Sequence, residues 1–430
     1  MIIIHKMADY VRMIHRHLAA PLRDALADTP AVLINGARQT GKSTLVQSTD
    51  MGSQSRQYLT FDDPGILAAA KRDPNGFIDG LNLPVTLDEV QHVPELFPVI
   101  KAAIDRNRQP GQFLLTGSAN VMLLPKLSDS LAGRMEVLTL WPFSQGELRG
   151  VRENFVKHLF STGHISTGRA NRSGRRSSVS WEELLEIMVA GGYPPAVARH
   201  TPARRDAWFQ SYVLTMLQRD IRDLASIADF TAIPRLLSVV AAREGSLLNF
   251  ADLSRTMALP QTTLKRYFAL LENTFLVQLL RPWARNLGKR VIQTPKVYLN
   301  DSGLLAYTLG ATVDRLKTEG NLTGPVLENF VLMELRKQCS WSAIRPDLFY
   351  WRTVSGQEVD FVLEDHAGKV VGIEVKAAAT LGSNDVRGLK ALADAVGKSW
   401  IRGVVLYSGT EVIPFAADLH GVPLNSLWSE

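Results

Sequence analysis

The run Gly36-Ala37-Arg38-Gln39-Thr40-Gly41-Lys42-Ser43 fits the spacing G-x-x-x-x-G-K-[ST] without a mismatch. Two glycines at that interval let the backbone turn tightly and aim consecutive N–H groups at a polyphosphate. The lysine can reach β- and γ-phosphates, and the hydroxyl is a ligand for Mg²⁺. The flanks agree: Ala31-Val32-Leu33-Ile34 reads as a buried strand, and Thr44-Leu45-Val46-Gln47 suits a helix whose N-terminus favours a bound anion. The alternative, a Gly-rich turn that binds nothing, leaves Lys42 and Ser43 without a reason. The expected ATP-binding residues are Gly36, Ala37, Arg38, Gln39, Thr40, Gly41, Lys42, Ser43 and Thr44.

A second strand, Pro84-Val85-Thr86-Leu87, ends in Asp88-Glu89. Beside a phosphate loop, such a pair divides the work of metal-assisted phosphoryl transfer: Asp88 joins Ser43 in supporting Mg²⁺, and Glu89 polarises the attacking water. Standing alone, Asp-Glu would mark only the end of a strand.

Four more ionisable residues gather in the C-terminal third. Gly324 to Lys337 is expected to be a helix with Leu327, Phe330, Val331 and Leu335 on one stripe and Glu328 at its margin. Two strands follow, Glu358 to Leu363 and Val371 to Lys376. Residues i and i+2 of a strand share a face, so Glu374 and Lys376 point the same way. If Asp360 lies opposite them, carboxylates and a lysine meet where Glu328 can reach, the residue types that Mg²⁺-dependent phosphodiester cleavage needs. The alternative is the solvated side of a sheet.

The elements that must position these groups are drawn from 430 residues, enough for two to four domains at about 150 residues each. Hydrophobic content of 46% and charged content of 21% are ordinary for a globular chain. No apolar run reaches the roughly 18 residues of a membrane span, and Met1 to Ile4 is too short for a signal sequence. The single cysteine, Cys339, excludes an intramolecular disulfide framework and a thiolate zinc cluster, and a reducing cytoplasm is the expected location. The net charge of +6 is concentrated: residues 151–180 and residues 281–296 each carry +5, leaving −4 for the rest. Residues 151–180, rich in Ser, Gly and Arg without periodicity, read as a basic linker or surface insertion.

Residues 181–300 read as mostly helical. Trp181 to Ala190 and Trp208 to Leu224 suit a helical lid. Ile233 to Ala242, Ala251 to Met257 and Thr263 to Leu271 form three short helices, followed by strands at Phe275 to Leu280 and Val291 to Leu299 with a basic cluster between them. That order is a winged helix, in which Lys265, Arg266, Arg285, Lys289 and Arg290 would meet duplex DNA. A winged helix used only for packing between domains is the alternative.

The spacing of Glu328, Asp360, Glu374 and Lys376 resembles the PD-(D/E)xK nuclease superfamily, with Val359 where the name-giving proline would stand. Segments along the chain, including GARQTGKST, LLTGSAN, LQRDIRDL, GPVLENFVLMEL, EVDFVLE and IEVKAA, resemble prokaryotic AAA+ ATPases that end in a nuclease-like domain of unknown function. The resemblance covers roughly residues 10–410 and implies an α/β chain with a P-loop AAA+ core over 1–150, a helical lid with winged helix over 181–300, and a restriction-endonuclease-like α/β domain over 301–430; the linker or insertion at 151–180 departs from the family's compact connection. It further implies that Ser118 ends a strand sensing the γ-phosphate and that Arg134 or Arg219 stabilises transition-state charge, a surface or lid salt bridge being the alternative for each. The expected activity is Mg²⁺-dependent ATP hydrolysis. The expected partners are DNA or another nucleic acid, or a protein, with a homo-oligomer compatible and no membrane. The competing reading is a nucleotide-dependent switch or scaffold whose nuclease-like domain is catalytically inactive.

Overall fold

The computed structural model describes residues 2–7, 10–48, 56–118, 131, 133–161, 179–216, 231–286 and 294–428. The chain divides into two compact units. The first comprises Met1–Phe143, Tyr193–Ala198 and Ala269–Leu276; the second comprises Ser144–Gly192, Arg199–Phe268 and Val277–Glu430.

In the first unit, strands β1 (Ile2–Met7) and β2 (Tyr10–Ile14) form an antiparallel pair. The main sheet comprises β3 (Ala31–Asn35), β4 (Gln57–Thr60), β5 (Val85–Asp88), β6 (Phe113–Gly117) and β7 (Met135–Thr139). They are parallel, in the order β4-β5-β6-β3-β7. A fully parallel sheet is covered on both faces, which is why β3 is buried throughout and apolar from Ala31 to Ile34. Its alternate residues split accordingly: Ala31 and Leu33 join a core with Phe97, Ile100, Phe113 and Leu115. Val32 and Ile34 join another with Leu114, Leu138 and Leu22 of the helix Ala19–Asp28. The connection leaving β3 runs towards β4 and that leaving its neighbour β6 runs towards β7, so the two diverge at the carboxyl ends of these strands, where such sheets hold ligands.

In the second unit, helices Ala232–Ala241, Phe250–Met257 and Gln261–Asn273 precede the antiparallel pair β8 (Val277–Leu280) and β9 (Lys296–Leu299). The last of these helices runs on into the first unit. Ala258 ends the second helix in the left-handed region at φ 55°, just before the Leu259-Pro260 break. The C-terminal sheet comprises β10 (Asp347–Arg352), β11 (Glu358–Glu364), β12 (Val370–Lys376), β13 (Trp400–Tyr407), β14 (Ile413–Ala416) and β15 (Leu419–Pro423). Their order is β10-β11-β12-β13-β15-β14, parallel across β12, β13 and β15 and antiparallel elsewhere. Helix Arg387–Val396 packs Leu389, Leu392 and Val396 against Val359, Val362, Val370 and Val405. Helix Gly320–Trp341 touches β10 and β12.

That helix corrects the expected span of Gly324 to Lys337. The helix begins before Gly324, with Pro325 inside it. Thr323 Oγ1 donates to the carbonyls of Leu316 and Glu319, anchoring this first turn through a side chain.

Candidate functional site

The phosphate loop follows β3 directly. Gly36 has φ 141° and Gly41 has φ 97°, values that favour glycine. A Cβ on Gly36 would stand 2.3 Å from the Leu140 carbonyl oxygen, so this position has no room for a side chain. Gln39 also adopts a left-handed φ of 61°. Helix Lys42–Gln47 starts at once after Gly41, directing its first N–H groups towards the loop. Lys42 is only 4% exposed, and its Nζ donates to the carbonyls of Gly36 and Ala37, both at 3.0 Å. Ser43 Oγ donates to the two carboxylate oxygens of Asp88 at 3.1 and 3.0 Å, so the two expected metal-supporting groups meet. Thr44 is half-buried in the same first turn. The donor set, a hydroxyl and a carboxylate beside a buried lysine and a glycine-lined turn, fits a Mg²⁺–polyphosphate.

Around Asp88 and Glu89 the neighbouring strands supply a cage of hydroxyls. Tyr58 on β4 donates to Asp88 Oδ2 at 2.7 Å, and Thr116 on β6 donates to Oδ1. Burial, then the contact with Asp88, raises the Tyr58 phenol well above its ordinary range, so it remains a donor. Glu89 has φ 60°, uncommon for a residue with a side chain, and its N–H donates to Thr116 Oγ1 at 3.1 Å. Its carboxylate accepts from Ser118 Oγ at 2.9 and 2.6 Å and from Gln91 Nε2. Burial works against the charge of Glu89, but Lys42, Ser118, Gln91 and Arg38 outweigh it, and its pKa is lowered. Glu89 is therefore a carboxylate at neutral pH.

Arg16 was not singled out by the sequence. It is 1% exposed, donates to the Thr40 carbonyl at 2.8 Å and the Trp141 carbonyl at 2.6 Å, and lies over the Phe143 ring at 4.8 Å. It thereby ties the phosphate loop to the segment after β7. No motif spacing announces a residue twenty positions before the loop.

Arg134 stands at the start of β7, where its carbonyl accepts from Ala31 N at 3.2 Å. This is the opposite end of β3 from the phosphate loop, and the guanidinium pairs with Asp105 through Nε at 2.6 Å and Nη2 at 3.0 Å. Within this chain it takes the salt-bridge alternative and does not reach the phosphate site. Arg219 lies outside the described residues.

Of the basic residues expected to meet DNA, Lys265, Arg266 and Arg285 are exposed. Lys265 lies over Phe250 at 5.8 Å and Arg266 over Tyr267 at 5.6 Å. Lys289 and Arg290 lie outside the described residues. Lys296, counted in the charge of residues 281–296, is buried.

The C-terminal residues do come together. Pairing of Phe361 with Ile373 sets Asp360 beside Glu374, and Asp360 Oδ2 accepts from Val375 N at 2.8 Å. Lys376 Nζ donates to Glu374 Oε1 at 2.8 Å, while Glu374 Oε2 is buried without a hydrogen-bond partner among the described residues. Burial, followed by repulsion from Glu374 and Glu328, raises Asp360 well above the usual carboxylate range. Burial likewise raises Glu374. Glu328, however, is engaged by β9: Tyr298 donates to its Oε1 at 2.5 Å and Lys296 at 3.3 Å. Lys296 is also 2.5 Å from Glu358 Oε1. Burial opposes its charge, but Glu328, Asp360 and Glu358 outweigh it and raise its pKa. Among the described residues no group of three or more His, Cys, Asp or Glu side chains is arranged to hold a metal ion. Lys296 thus joins this cluster beside Glu328 and Glu358, a residue that sequence reasoning had not placed there.

Residues 28–149 match the AAA domain family, residues 182–315 a domain of unknown function (DUF8612), and residues 323–427 another (DUF4143). An uncharacterized protein of Mycobacterium tuberculosis is 32% identical over 416 residues, covering 96% of this chain and 84% of the relative. An uncharacterized protein of Haemophilus influenzae is 23% identical over 406 residues, covering 88% and 90%. The chain belongs to the same family as the mycobacterial protein and is itself an AAA+ ATPase carrying a C-terminal DUF4143 domain. Among solved structures, a Walker-type ATPase of Pyrococcus abyssi is similar at 14% identity and a TM-score of 0.42, covering 69% of this chain and 96% of that one. A Drosophila ORC structure bound to DNA is similar at 15% identity and a TM-score of 0.20, covering 68% and 84%. Both are loose likenesses. No helix among the described residues is long and apolar enough to cross a membrane.

Proposed function

We propose that this chain is a cytoplasmic Mg²⁺-dependent ATP phosphohydrolase that couples nucleotide turnover to a nucleic-acid partner. The observation that carries the hydrolytic reading is the meeting of Ser43 Oγ with the Asp88 carboxylate, with Glu89 the next residue. Bound Mg²⁺ supplies charge neutralisation at the β- and γ-phosphate oxygens. Ser43 and Asp88 would hold it, Lys42 would exchange its two loop carbonyls for phosphate oxygens, and the glycine-shaped turn would present its N–H groups. Glu89, already ionised, would exchange a Ser118 or Gln91 hydrogen bond for the attacking water and take its proton. Ser118 and Thr116 would keep both acids in register with the end of β6. The test is steady-state phosphate release from ATP with and without Mg²⁺, repeated with duplex and single-stranded DNA. Turnover that needs Mg²⁺ and rises with DNA is the expected result; absence of turnover in folded protein would reject it.

For the middle segment, the exposed Lys265, Arg266 and Arg285 support contact with nucleic-acid backbone, consistent with a winged helix. For the C-terminal domain, the convergence of Asp360, Glu374 and Lys376 supports a nuclease-like fold. The second reading, a nucleotide-dependent switch or scaffold without nuclease chemistry, draws support from the engagement of Glu328 by Lys296 and Tyr298.

A further inference from the structure

We propose that Lys296 is a resident cation in the C-terminal carboxylate cluster, occupying the Glu328 and Glu358 oxygens that a divalent metal bound there would need and keeping the wild-type domain metal-free. This rests on the reading of Glu328, Asp360, Glu374 and Lys376 as a nuclease-like constellation.

Lys296 is fixed at its backbone and its tip. It pairs with Leu280 across β8 and β9 and forms a further antiparallel bridge with Leu247. Its neighbour Val297 donates to Ser246 at 3.1 Å and accepts from Gly245 at 3.0 Å. The side chain is 4% exposed, with Nζ 3.3 Å from Glu328 Oε1, 2.5 Å from Glu358 Oε1 and 5.5 Å from the Tyr350 ring centroid. Residues i and i+2 of a strand share a face, so β9 brings Tyr298 to the same Glu328 oxygen, at 2.5 Å. Gly245, at φ 72°, closes the other side: a Cβ there would be 3.2 Å from Glu328 Oε1. One carboxylate oxygen therefore already has an ammonium and a phenol as donors.

A Mg²⁺ ligand distance is about 2.0–2.1 Å, so an ion on this oxygen would lie beside the ammonium and be repelled by it. The charges of the cluster are also largely matched. Lys296 serves Glu328 and Glu358, Arg352 lies 3.6 Å from Glu358, and Lys376 serves Glu374. Among the described residues, Glu374 Oε2 is a buried acceptor without a hydrogen-bond partner. Replacing the ammonium by a neutral side chain would free Glu328 and Glu358 and restore the charge deficit that a hard divalent ion satisfies.

The experiment is a Mn²⁺ titration of nucleotide-free protein, read by the electron paramagnetic resonance of free Mn²⁺, for wild type, Asp360→Asn, Lys296→Gln, Lys296→Arg and the double variant Lys296→Gln/Asp360→Asn. Wild type and Asp360→Asn should be indistinguishable, with no Asp360-dependent site tighter than about 1 mM. Lys296→Gln should gain a site at least tenfold tighter that disappears in the double variant, and Lys296→Arg should behave as wild type. A wild-type site lost in Asp360→Asn would overturn the inference while leaving the nuclease-like reading standing. A folded Lys296→Gln without a new site would remove both. The wild-type and Asp360→Asn titrations use no Lys296 variant, so they decide the inference even if Lys296→Gln fails to fold.

Discussion

Replacing Lys42 by Ala removes the one P-loop side chain whose cation can face the β- and γ-phosphates. In the nucleotide-free chain its Nζ holds the Gly36 and Ala37 carbonyls at 3.0 Å, so part of the effect falls on the loop itself. Leaving these acceptors to water should cost about 1–2 kcal/mol of stability, small against the roughly 5–15 kcal/mol that holds a domain folded. The larger effect is on ATP. A hydrogen bond to a charged group is worth about 1.5–3 kcal/mol, and a unit charge pair at 4 Å near a protein surface about 4 kcal/mol. Dividing by about 1.4 kcal/mol per decade gives an affinity loss between about tenfold and a thousandfold. Isothermal calorimetry with ATP and Mg²⁺, paired with a thermal melt, measures both quantities. A folded Lys42→Ala protein with wild-type affinity would refute the assignment of the loop.

Tyr58→Phe deletes the 2.7 Å donor to Asp88 without disturbing the phosphate loop. It should raise the Mg²⁺ concentration for half-maximal ATP turnover by about two- to tenfold, at about 0.5–1.5 kcal/mol for one hydrogen bond, while Mg²⁺-free nucleotide affinity stays constant. An unchanged Mg²⁺ requirement would reduce Tyr58 to packing. Asp360, with its pKa raised by burial and then by Glu374 and Glu328, binds its proton more tightly folded than unfolded. Its ionised form therefore costs stability, absent below the unfolded carboxylate pKa and growing as pH rises towards the folded one. Asp360→Asn should accordingly melt about 2–4 °C higher than wild type at pH 8 and converge with it near pH 4; a lower melting point at pH 8 would contradict this. Substituting Lys265, Arg266, Arg285, Lys289 and Arg290 together should weaken duplex DNA binding and flatten its salt dependence, each lost phosphate contact removing about 0.9 from the log–log slope. Equal slopes in a gel-shift salt series would assign these residues to solvation.

The P-loop site was legible because its parts are local. Gly36 to Ser43 sit in one turn, and a four-residue strand delivers Asp88 to Ser43 through plain parallel pairing. The C-terminal pair was legible for a related reason, since strand parity fixes which side chains share a face and one hairpin register sets Asp360 beside Glu374. What escaped depends on contacts between residues distant in sequence. Arg16 clamps Thr40 and Trp141 through backbone carbonyls, acceptors with no sequence signature. Tyr58 reads as an ordinary aromatic strand residue until β4 pairs with β5. Lys296 entered only the charge count of residues 281–296, because charge counting along a chain says nothing about which face of a strand each cation occupies. Arg134 shows the same limit: its place at the start of β7 puts it at the far end of the sheet from the loop that the resemblance assigned it to serve.

Glu89 offers the most direct test of the account, since it separates hydrolysis from binding. Glu89→Gln keeps the side-chain length and an acceptor for Ser118 but removes the base, whose contribution to a rate is typically about 10²–10⁴-fold. The measurement is single-turnover hydrolysis of ATP with Mg²⁺ in wild type and Glu89→Gln at saturating protein, with affinity determined on the same samples. The account predicts wild-type hydrolysis, near-unchanged ATP affinity in the variant and a hydrolysis rate at least about a hundredfold lower. A variant that binds and hydrolyses ATP at the wild-type rate would contradict it.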